Sequence, residues 1–244
     1  MRSFCYDKYL LDPLPPDWEE KMRQLRQMDA WINARSPFWK QARTEQLYRE
    51  LMQLPCSDCC RAWEALPTLA AAPFTEQTLL TLHALLMPDV PPGYKQDDNI
   101  ILYRVDGEIK GVVFIPPDAE ETPAAMTALM DAFQTWKRRG GLPILGMLGC
   151  FLQDFLCIHP FSDGNGRMTR LLLVLLLLRM GFSGAQYLAP ECYVREVCHR
   201  TAMLKAQHSS MQLWYEGRND YRPAATFWLE TILDLYREAL EQKD

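Results

Sequence analysis

The sequence has neither an excess of positive charge nor an apolar run long enough to cross a membrane. Its 26 Lys and Arg residues are outnumbered by 31 Asp and Glu residues, so the formal net charge is -5 and the isoelectric point is near 5.5. Binding to a nucleic-acid backbone depends on clustered basic side chains, and we therefore expect no nucleic-acid partner. The longest apolar run, Leu171–Leu178, has eight residues. A membrane span needs roughly 20 residues, so this run predicts a buried central helix and no membrane partner.

Two signatures are also missing, one for zinc binding and one for nucleotide binding. The eight cysteines include one C-x-x-C at Cys56–Cys59, but no second C-x-x-C or H-x-x-x-H pair follows to complete a tetrahedral zinc site. We expect these cysteines to be buried, unpaired thiols. No G-x-x-x-x-G-K-[ST] occurs, which excludes a P-loop ATPase. The chain starts at Met1 without a signal-peptide pattern, and together with the cysteine usage this favours a reducing cytoplasm.

Apolar residues are what the chain has in quantity. They make up 48% of the sequence, enough for one sizeable core. Over most of the chain they recur every three or four positions, which predicts helices. Pro37 is expected to separate the first two helices, Pro67 to end the third and Thr75 to cap the fourth. The predicted helices cover residues 17–54 (as a pair), 56–66, 76–87, 122–138, 142–158 and 164–180, with two or three more up to residue 242.

The segment Ile100–Pro117 is the one clear exception to the helical spacing. Two apolar stretches, IILYRV and EIKGVVFI, flank Asp106 and Gly107, a dipeptide favoured in two-residue type I′ turns. Two prolines end the second stretch. The expected fold class is therefore all-α, a mainly helical bundle, with one β-hairpin.

The densest polar chemistry lies between two strongly apolar segments, in the sequence HPFSDGNGRMTR at His159–Arg170. Gly164 and Gly166 permit a turn whose N–H groups face inward at the start of the following helix. Together with the helix dipole, these groups make an anion site. Arg167 and Arg170 are three residues apart, so they share a helix face and lean toward that helix start. Two guanidinium groups in this place suit a polyphosphate.

Two further side chains of this segment indicate catalysis rather than binding alone. Asp163 offers a hard oxygen ligand of the kind that magnesium takes beside substrate phosphates. His159 is the one side chain of this group whose unperturbed pKa is close to neutral, so it is the natural base for a hydroxyl nucleophile. Each residue alone has an ordinary structural interpretation, but a base beside a metal ligand favours an active site over a pure nucleotide binder. The other three histidines, His83, His199 and His208, lie in helical stretches and are interpreted as structural.

The segment resembles the signature of the Fic domain family, H-P-F-x-[D/E]-G-N-G-R-x-x-R, at every defined position. The resemblance implies a mainly helical Fic fold and a protein adenylyltransferase. In such an enzyme a histidine deprotonates a Ser, Thr or Tyr hydroxyl of a target protein, the oxygen attacks the α-phosphate of ATP, and pyrophosphate leaves with Mg2+. The resemblance implies a role for each matched residue: His159 as the base, Asp163 as the magnesium ligand, Gly164, Asn165 and Gly166 as the α/β-phosphate cradle, and Arg167 and Arg170 as the β/γ-phosphate clamp.

The likeness extends from about Phe74 to the C-terminus. Residues 74–244 are therefore expected to form the Fic catalytic domain, and residues 1–73 an N-terminal helical region. The hairpin is similar to the Fic flap, which holds a target segment by pairing with it as an extra strand. The residues expected to dock the target are Tyr103, Val105, Asp106, Gly107, Ile109 and Val112. The segment Ser209–Tyr221 looks like the C-terminal part of cytoplasmic bacterial Fic proteins. Self-modification and a homodimer are further expectations.

Regulation is a separate expectation of the resemblance. Many Fic proteins are held inactive by a helix of pattern [S/T]-x-x-x-E-[G/N], whose glutamate pairs with the last arginine of the motif. The best match is a helix near residues 57–66, with Glu64 as the inhibitory residue and Arg170 as its partner, although Cys60 and Ala65 depart from the pattern. Glu216 is a weaker rival. The plain alternative is that Glu64 is an exposed helix residue.

Other functions stay open on the sequence alone. Glu64 near the γ-phosphate position could orient a water molecule for removal of AMP from a modified protein. Another nucleotide, a phosphodiester-linked donor or transfer of the γ-phosphate would use the same site. A function of a different class is a nucleotide-binding interaction module without chemistry. No residue pattern identifies the base pocket or the target protein.

Overall fold

The computed structural model describes residues 17–54, 59–105, 108–139 and 144–242. In these ranges the chain is helical apart from one antiparallel hairpin, which confirms the expected fold class. The hairpin consists of β1 (Ile101–Val105) and β2 (Glu108–Phe114), and a 3-10 turn covers Ser183–Tyr187. The α-helices, in chain order, are α1 (Trp18–Asn33), α2 (Pro37–Met52), α3 (Cys59–Ala71), α4 (Glu76–Leu86), α5 (Thr122–Arg139), α6 (Ile144–Ile158), α7 (Asn165–Arg179), α8 (Pro190–Tyr193), α9 (Val197–Met211) and α10 (Arg222–Glu241).

The first two helices are separated at Pro37, as predicted. Ser36 Oγ accepts a hydrogen bond from the backbone N–H of Trp39 at 3.1 Å, and Pro37 takes the first helical position, where its missing N–H removes no bond. The helix α4 follows Thr75, whose N–H donates to the Thr78 hydroxyl at 3.1 Å. Side chains thus supply the hydrogen bonds that the starts of both helices lack.

The prediction that Pro67 ends α3 is wrong. The helix continues to Ala71, with Pro67 inside it and exposed. Proline removes one helical hydrogen bond, but Arg179 of α7 donates to the carbonyl oxygens of Leu69 and Ala70 in the last turn of α3. Because α3 packs along α7, tertiary contacts hold a turn that the local rule would end.

The central helix of the fold is α7. Every side chain from Leu172 to Leu177 is buried, which confirms the interpretation of the long apolar run. Helices α3 and α6 pack on α7, and α10 packs on α6. Gly149 permits this last contact, because a Cβ there would lie 2.7 Å from the Cα of Ala225. The helices that pack around α7 therefore hold its N-terminus in place from several sides.

A buried carboxylate joins α6 to the chain between α9 and α10. Asp154 is fully buried and accepts hydrogen bonds from Trp214 Nε1 and from the Tyr221 hydroxyl, both at 2.7 Å. A charge in this position is stable only when donors surround it. These bonds hold residues 212–221 against the helix that leads into the polar segment.

Burial of the cysteines largely follows the expectation. Cys59, Cys60, Cys150 and Cys157 are buried, whereas Cys198 is exposed, and Cys56 lies outside the described residues. Searched over the described ranges, the chain contains no helix with both the length and the apolar character of a membrane span.

Candidate active site

The segment that follows α6 turns sharply before α7 begins. His159 has a φ of 50°, in the left-handed region that non-glycine residues seldom adopt, and Gly164 caps α7 with a φ of 85°. Asn165 braces the turn from inside. Its Oδ1 accepts the N–H of Phe161 at 3.0 Å, and its Nδ2 donates to the Phe161 oxygen at 2.7 Å. The side-chain amide of Asn165 is therefore already hydrogen-bonded within the turn. Only the backbone N–H of Asn165 is left to contact a phosphate, and that role stays a prediction.

The start of α7 already holds a carboxylate. Asp163 Oδ1 accepts the N–H of Gly164 at 2.6 Å, and Asp163 Oδ2 lies 3.0 Å from Arg167 Nη2. The helix start thus attracts negative charge, as the helix dipole and unbonded terminal N–H groups predict. The Asp163 side chain is 68% exposed, so it can move aside without disturbing the core. Its accessible oxygen atoms fit magnesium, which combines carboxylate ligands with phosphate and water oxygens.

The imidazole of His159 has the protonation state of a base. Its Nδ1 lies 3.3 Å from the carbonyl oxygen of Leu156, a contact that favours the proton on Nδ1 and leaves Nε2 as an acceptor. Burial lowers the pKa of His159 to about 4, and the charge of Lys95 acts in the same direction. The ring is therefore neutral at physiological pH and can accept a proton.

This lowered pKa predicts an unusual pH dependence. We expect the acid limb of kcat/KM to fall well below pH 6.5, the ordinary value for histidine, and nearer to 4. Between these values the unfolded chain binds a proton at this ring that the folded protein does not bind, so the free energy of unfolding decreases as the pH falls through this window. A pH series of activity and of urea midpoints measures both effects. An acid limb at pH 6.5 or above would contradict the lowered pKa of this ring in the folded protein.

Lys95 and Asn99, which the sequence analysis missed, hold the polar segment from behind. Lys95 Nζ donates to the Asn99 side chain at 2.8 Å and to the Pro117 oxygen at 2.7 Å. Asn99 Nδ2 donates to the carbonyl oxygens of His159 at 3.2 Å and Phe161 at 3.0 Å. Burial lowers the pKa of Lys95 to about 8. The base of the hairpin is thereby attached to the polar segment, and the polar cluster YKQDDN before β1 was the available signal.

His83 lies directly against the polar segment. Its ring stacks on that of Phe161, with centroids 3.7 Å apart and planes 3° from parallel, and its Nε2 lies 3.0 Å from the carbonyl oxygen of Asp163. Burial lowers the pKa of His83, which favours the neutral ring with a donor at Nε2. The contacts agree with the predicted structural role. They also show that α4 supports the loop that presents Asp163 and Gly164.

Three of the expected docking residues are large apolar side chains that are more than half exposed on the hairpin: Tyr103, Ile109 and Val112. Val105 is the last residue of β1. Asp106 and Gly107 lie outside the described residues. A two-stranded ribbon with exposed apolar side chains can accept an extended peptide along an edge. Target docking stays a prediction.

The hairpin is anchored by the segment between α9 and α10. The Tyr215 hydroxyl donates to the carbonyl oxygen of Ile115 at 2.8 Å, and the Tyr215 ring stacks on Phe114 with centroids 5.7 Å apart. The adjacent Trp214 is bonded to the buried Asp154. Residues 209–221, which look like the C-terminal part of Fic proteins, thus have a structural role, since this segment supports the hairpin.

Arg170 pairs with a residue that the sequence analysis did not consider. Its Nη2 donates to Glu191 Oε1 at 2.8 Å, and its Nε donates to the other oxygen of the same carboxylate. The structure does not bring Glu64 to Arg170. Glu64 is exposed and lines a groove with Tyr48 and Gln186, whereas Cys59 and Trp63 of α3 line a pocket with Arg170. The regulatory role of Glu64 stays a prediction without support from a contact.

Known proteins are similar to this chain in sequence and in fold. Residues 73–177 match the model of the Fic/DOC family. The chain is 28% identical over 106 residues to "Probable protein adenylyltransferase aq_aa38" of Aquifex aeolicus (strain VF5), a match that covers 43% of this chain and 30% of that protein. It is 31% identical over 112 residues to "Protein adenylyltransferase and cysteine protease IbpA" of Histophilus somni (strain 2336). That match covers 45% of this chain and 2% of the much longer relative.

Solved structures are similar over nearly the whole chain. A Fic family protein from Desulfovibrio desulfuricans G20 superposes with a TM-score of 0.64 at 21% identity, covering 96% of this chain and 78% of that one. A Fic domain containing signaling protein from Bacteroides thetaiotaomicron gives a TM-score of 0.69 at 17% identity, covering 91% and 96%. At these identities the likeness concerns the fold. It includes helices before residue 73, which the family model does not reach.

Proposed function

Because residues 73–177 of this chain are a Fic/DOC family domain, we propose that the protein transfers the AMP part of ATP to a Ser, Thr or Tyr hydroxyl of a target protein. Pyrophosphate is the second product. The observation that carries the proposal is the pairing of two features in one loop, a neutral imidazole at His159 and an anion-binding helix start at Gly164. The adenylyltransferase names of two distant relatives support the same reaction.

The donor triphosphate would bind where the Asp163 carboxylate now lies. A phosphate oxygen can replace Asp163 Oδ1 at the N–H of Gly164 and Asp163 Oδ2 at Arg167, because both contacts are charge-assisted and Asp163 is exposed. The displaced carboxylate is then available as a ligand for Mg2+, which when bound neutralises phosphate charge and stabilises the leaving pyrophosphate. Gly166 and Arg170 complete the phosphate contacts.

The chemical step needs one base and an aligned nucleophile. His159 Nε2 takes the proton from the target hydroxyl as its oxygen forms a bond to the α-phosphorus, and the bond from that phosphorus to the bridging oxygen of the β-phosphate breaks. The electron pair leaves with pyrophosphate, and the imidazolium later returns its proton to solvent. Phosphoryl transfer depends mainly on position and charge stabilisation, which agrees with a loop held by Lys95, Asn99 and His83.

The target would be held by the hairpin. Its exposed Tyr103, Ile109 and Val112 offer apolar contacts, while an open strand edge offers backbone hydrogen bonds. Anchoring through Tyr215 and Lys95 keeps such a bound segment at a constant distance from His159. The chain itself is a further candidate substrate, and a homodimer would bring one copy to another.

The proposal predicts which phosphorus atom is transferred. Incubation with ATP and Mg2+ should place label from α-labelled ATP on protein, while label from γ-labelled ATP stays in pyrophosphate. The purified chain should be assayed alone and with a lysate, and intact mass should rise by one adenylyl group on any self-modified chain. His159→Asn serves as the blank.

Other outcomes point to the competing functions. Transfer from the γ position alone would indicate a phosphotransferase and contradict the proposal. Tight nucleotide binding without transfer to any protein of the lysate would favour the interaction module. Loss of AMP from a premodified protein, with no forward transfer, would indicate hydrolytic removal of AMP by water instead.

A further inference from the structure

Glu191 is a charged residue in contact with the proposed donor site that no part of the proposed reaction uses. It follows Pro190 at the start of the short helix α8 and meets Arg170 through both carboxylate oxygens. The Arg170 side chain is 12% exposed and that of Glu191 is 20% exposed. A largely buried bidentate pair of this kind restricts the guanidinium group to one plane and one direction.

Glu191 binds one edge of the Arg170 guanidinium group, and the other edge can bind a ligand. Glu191 accepts from Nε and Nη2, which form the side-on edge. The end-on edge, made by Nη1 and the second proton of Nη2, is not used by this pair. Nη1 lies 3.5 Å from the point where a Cβ on Gly166 would be. Nη1, which belongs to the remaining edge, thus lies beside Gly166 in the first turn of α7.

The position of Glu191 is fixed by its surroundings on both sides. On one side, Arg43 of α2 donates through Nε to the carbonyl oxygen of Tyr187 at 3.2 Å. On the other, the Tyr193 hydroxyl donates to Asp234 of α10 at 3.0 Å. The short helix between these anchors cannot shift far without breaking them. Glu191 therefore differs from the exposed Asp163, which can move aside when a phosphate arrives.

We propose that Glu191 is a positioning residue for the donor, which holds the end-on edge of Arg170 toward the glycine turn so that it binds the terminal phosphate. The inference rests on the proposed function. Without Glu191 the long arginine side chain regains several rotamers, and the largely buried cation loses its counter-charge. The competing interpretation is that Glu191 occupies the phosphate position itself and weakens donor binding.

The test compares Glu191→Ala and Glu191→Gln with the wild type and with Glu196→Ala. Glu196 is a matched control, because it is five residues further along the same segment and 69% exposed. We expect Glu191→Ala to lower kcat/KM for ATP by roughly 10- to 100-fold, mostly through kcat, since misplacement of about 1 Å has effects of that order. The preference for ATP over ADP in calorimetric binding should shrink. Glu191→Gln should recover part of the loss, because its carboxamide oxygen still accepts one N–H.

Two results would overturn the inference. An activity of Glu191→Ala equal to or above that of the wild type would mean that Glu191 competes with the donor or does nothing. An equal loss in Glu196→Ala would mean that the effect is not specific to the pair. Thermal unfolding of each variant identifies any that fails to fold. If Glu191→Ala fails, the near-isosteric Glu191→Gln decides, with at least a several-fold loss in kcat required.

The failure of the proposed function is a different observation. If the wild type transfers nothing from any nucleotide, the enzyme assignment fails, yet the position of Arg170 can still be measured. In protein labelled with 15N-arginine, the Nε–H resonance of Arg170 should be shifted and protected in the wild type, lost in Glu191→Ala, and perturbed when ATP is added to the wild type. A resonance that ATP does not perturb, in a protein that binds ATP, would contradict the inference alone.

Discussion

Replacing His159 should abolish AMP transfer while the fold and nucleotide binding persist. A general base contributes about 100- to 10,000-fold to such a step. No other described side chain lies at the position of the His159 ring, directly after α6, so none can replace it as the base. The preferred variant is His159→Asn, because asparagine tolerates the left-handed backbone that His159 adopts at φ 50°. The initial rate of label transfer from α-labelled ATP measures the effect.

The control for this variant is binding. Calorimetry with ATP and Mg2+ should give a dissociation constant within a few-fold of the wild type, because the phosphate contacts come from the start of α7. The unfolding midpoint should change little or rise, since a partly buried ring with a pKa of about 4 is uncharged at neutral pH and adds no ionic interaction to stability. Transfer at more than a tenth of the wild-type rate would contradict the role of His159 as base.

Replacing Gly164 by Ala should remove nucleotide binding and also destabilise the fold. Gly164 has a φ of 85°, and an added Cβ would lie 2.9 Å from Met87 Cγ. The left-handed backbone costs an L residue about 1–2 kcal/mol, and overpacking adds about 1–3 kcal/mol. Relief of this overlap requires the loop and the Met87 side chain to move apart, and a shift of the loop displaces the N–H groups of the anion site. Chemical denaturation and ATP calorimetry measure the two effects.

The chain offers a matched control for this prediction at the other end of α7. Gly181 has a φ of 90°, and a Cβ there would meet nothing within 4 Å. The variant Gly181→Ala should therefore show the backbone cost alone, about 1–2 kcal/mol, with ATP binding unchanged. If both variants lost ATP binding equally, the effect of Gly164 would be general destabilisation rather than displacement of the anion site.

The sequence predicted the elements that local rules control. The start of α2 at Pro37, the start of α4 after Thr75 and the alternating hairpin stretches all depend on neighbouring residues, and the structure has each of them. Pro67 was misjudged because its cost is local, whereas the contacts that offset it come from Arg179, more than a hundred residues away. Periodicity and capping patterns depend on neighbouring residues and therefore do not predict such distant contacts.

The candidate site divides in the same way. The segment His159–Arg170 contains its own base, turn and cations, so contiguous residues were enough to predict it. Its supports come from elsewhere, from His83 in α4 and from Lys95 and Asn99 before the hairpin. Single polar residues in helices or loops are common in any sequence. Only the short distances from His83, Lys95 and Asn99 to the segment, which the tertiary structure supplies, distinguish these three from other polar residues.

The partner of Arg170 shows most clearly what the tertiary structure decided. Family pattern matching favoured Glu64, which has the expected helical context, but the α3 residues that line a pocket with the arginine are Cys59 and Trp63, while Glu64 lines another groove. Glu191 reaches Arg170 because α7 ends, the chain reverses through Ser183–Tyr187, and α8 returns beside the first turns of α7. The sequence by itself determined the chemistry of the twelve-residue segment, since its groups are covalently adjacent. Which distant carboxylate meets its last guanidinium depended on how the helices pack, because packing alone brings distant residues within hydrogen-bond distance.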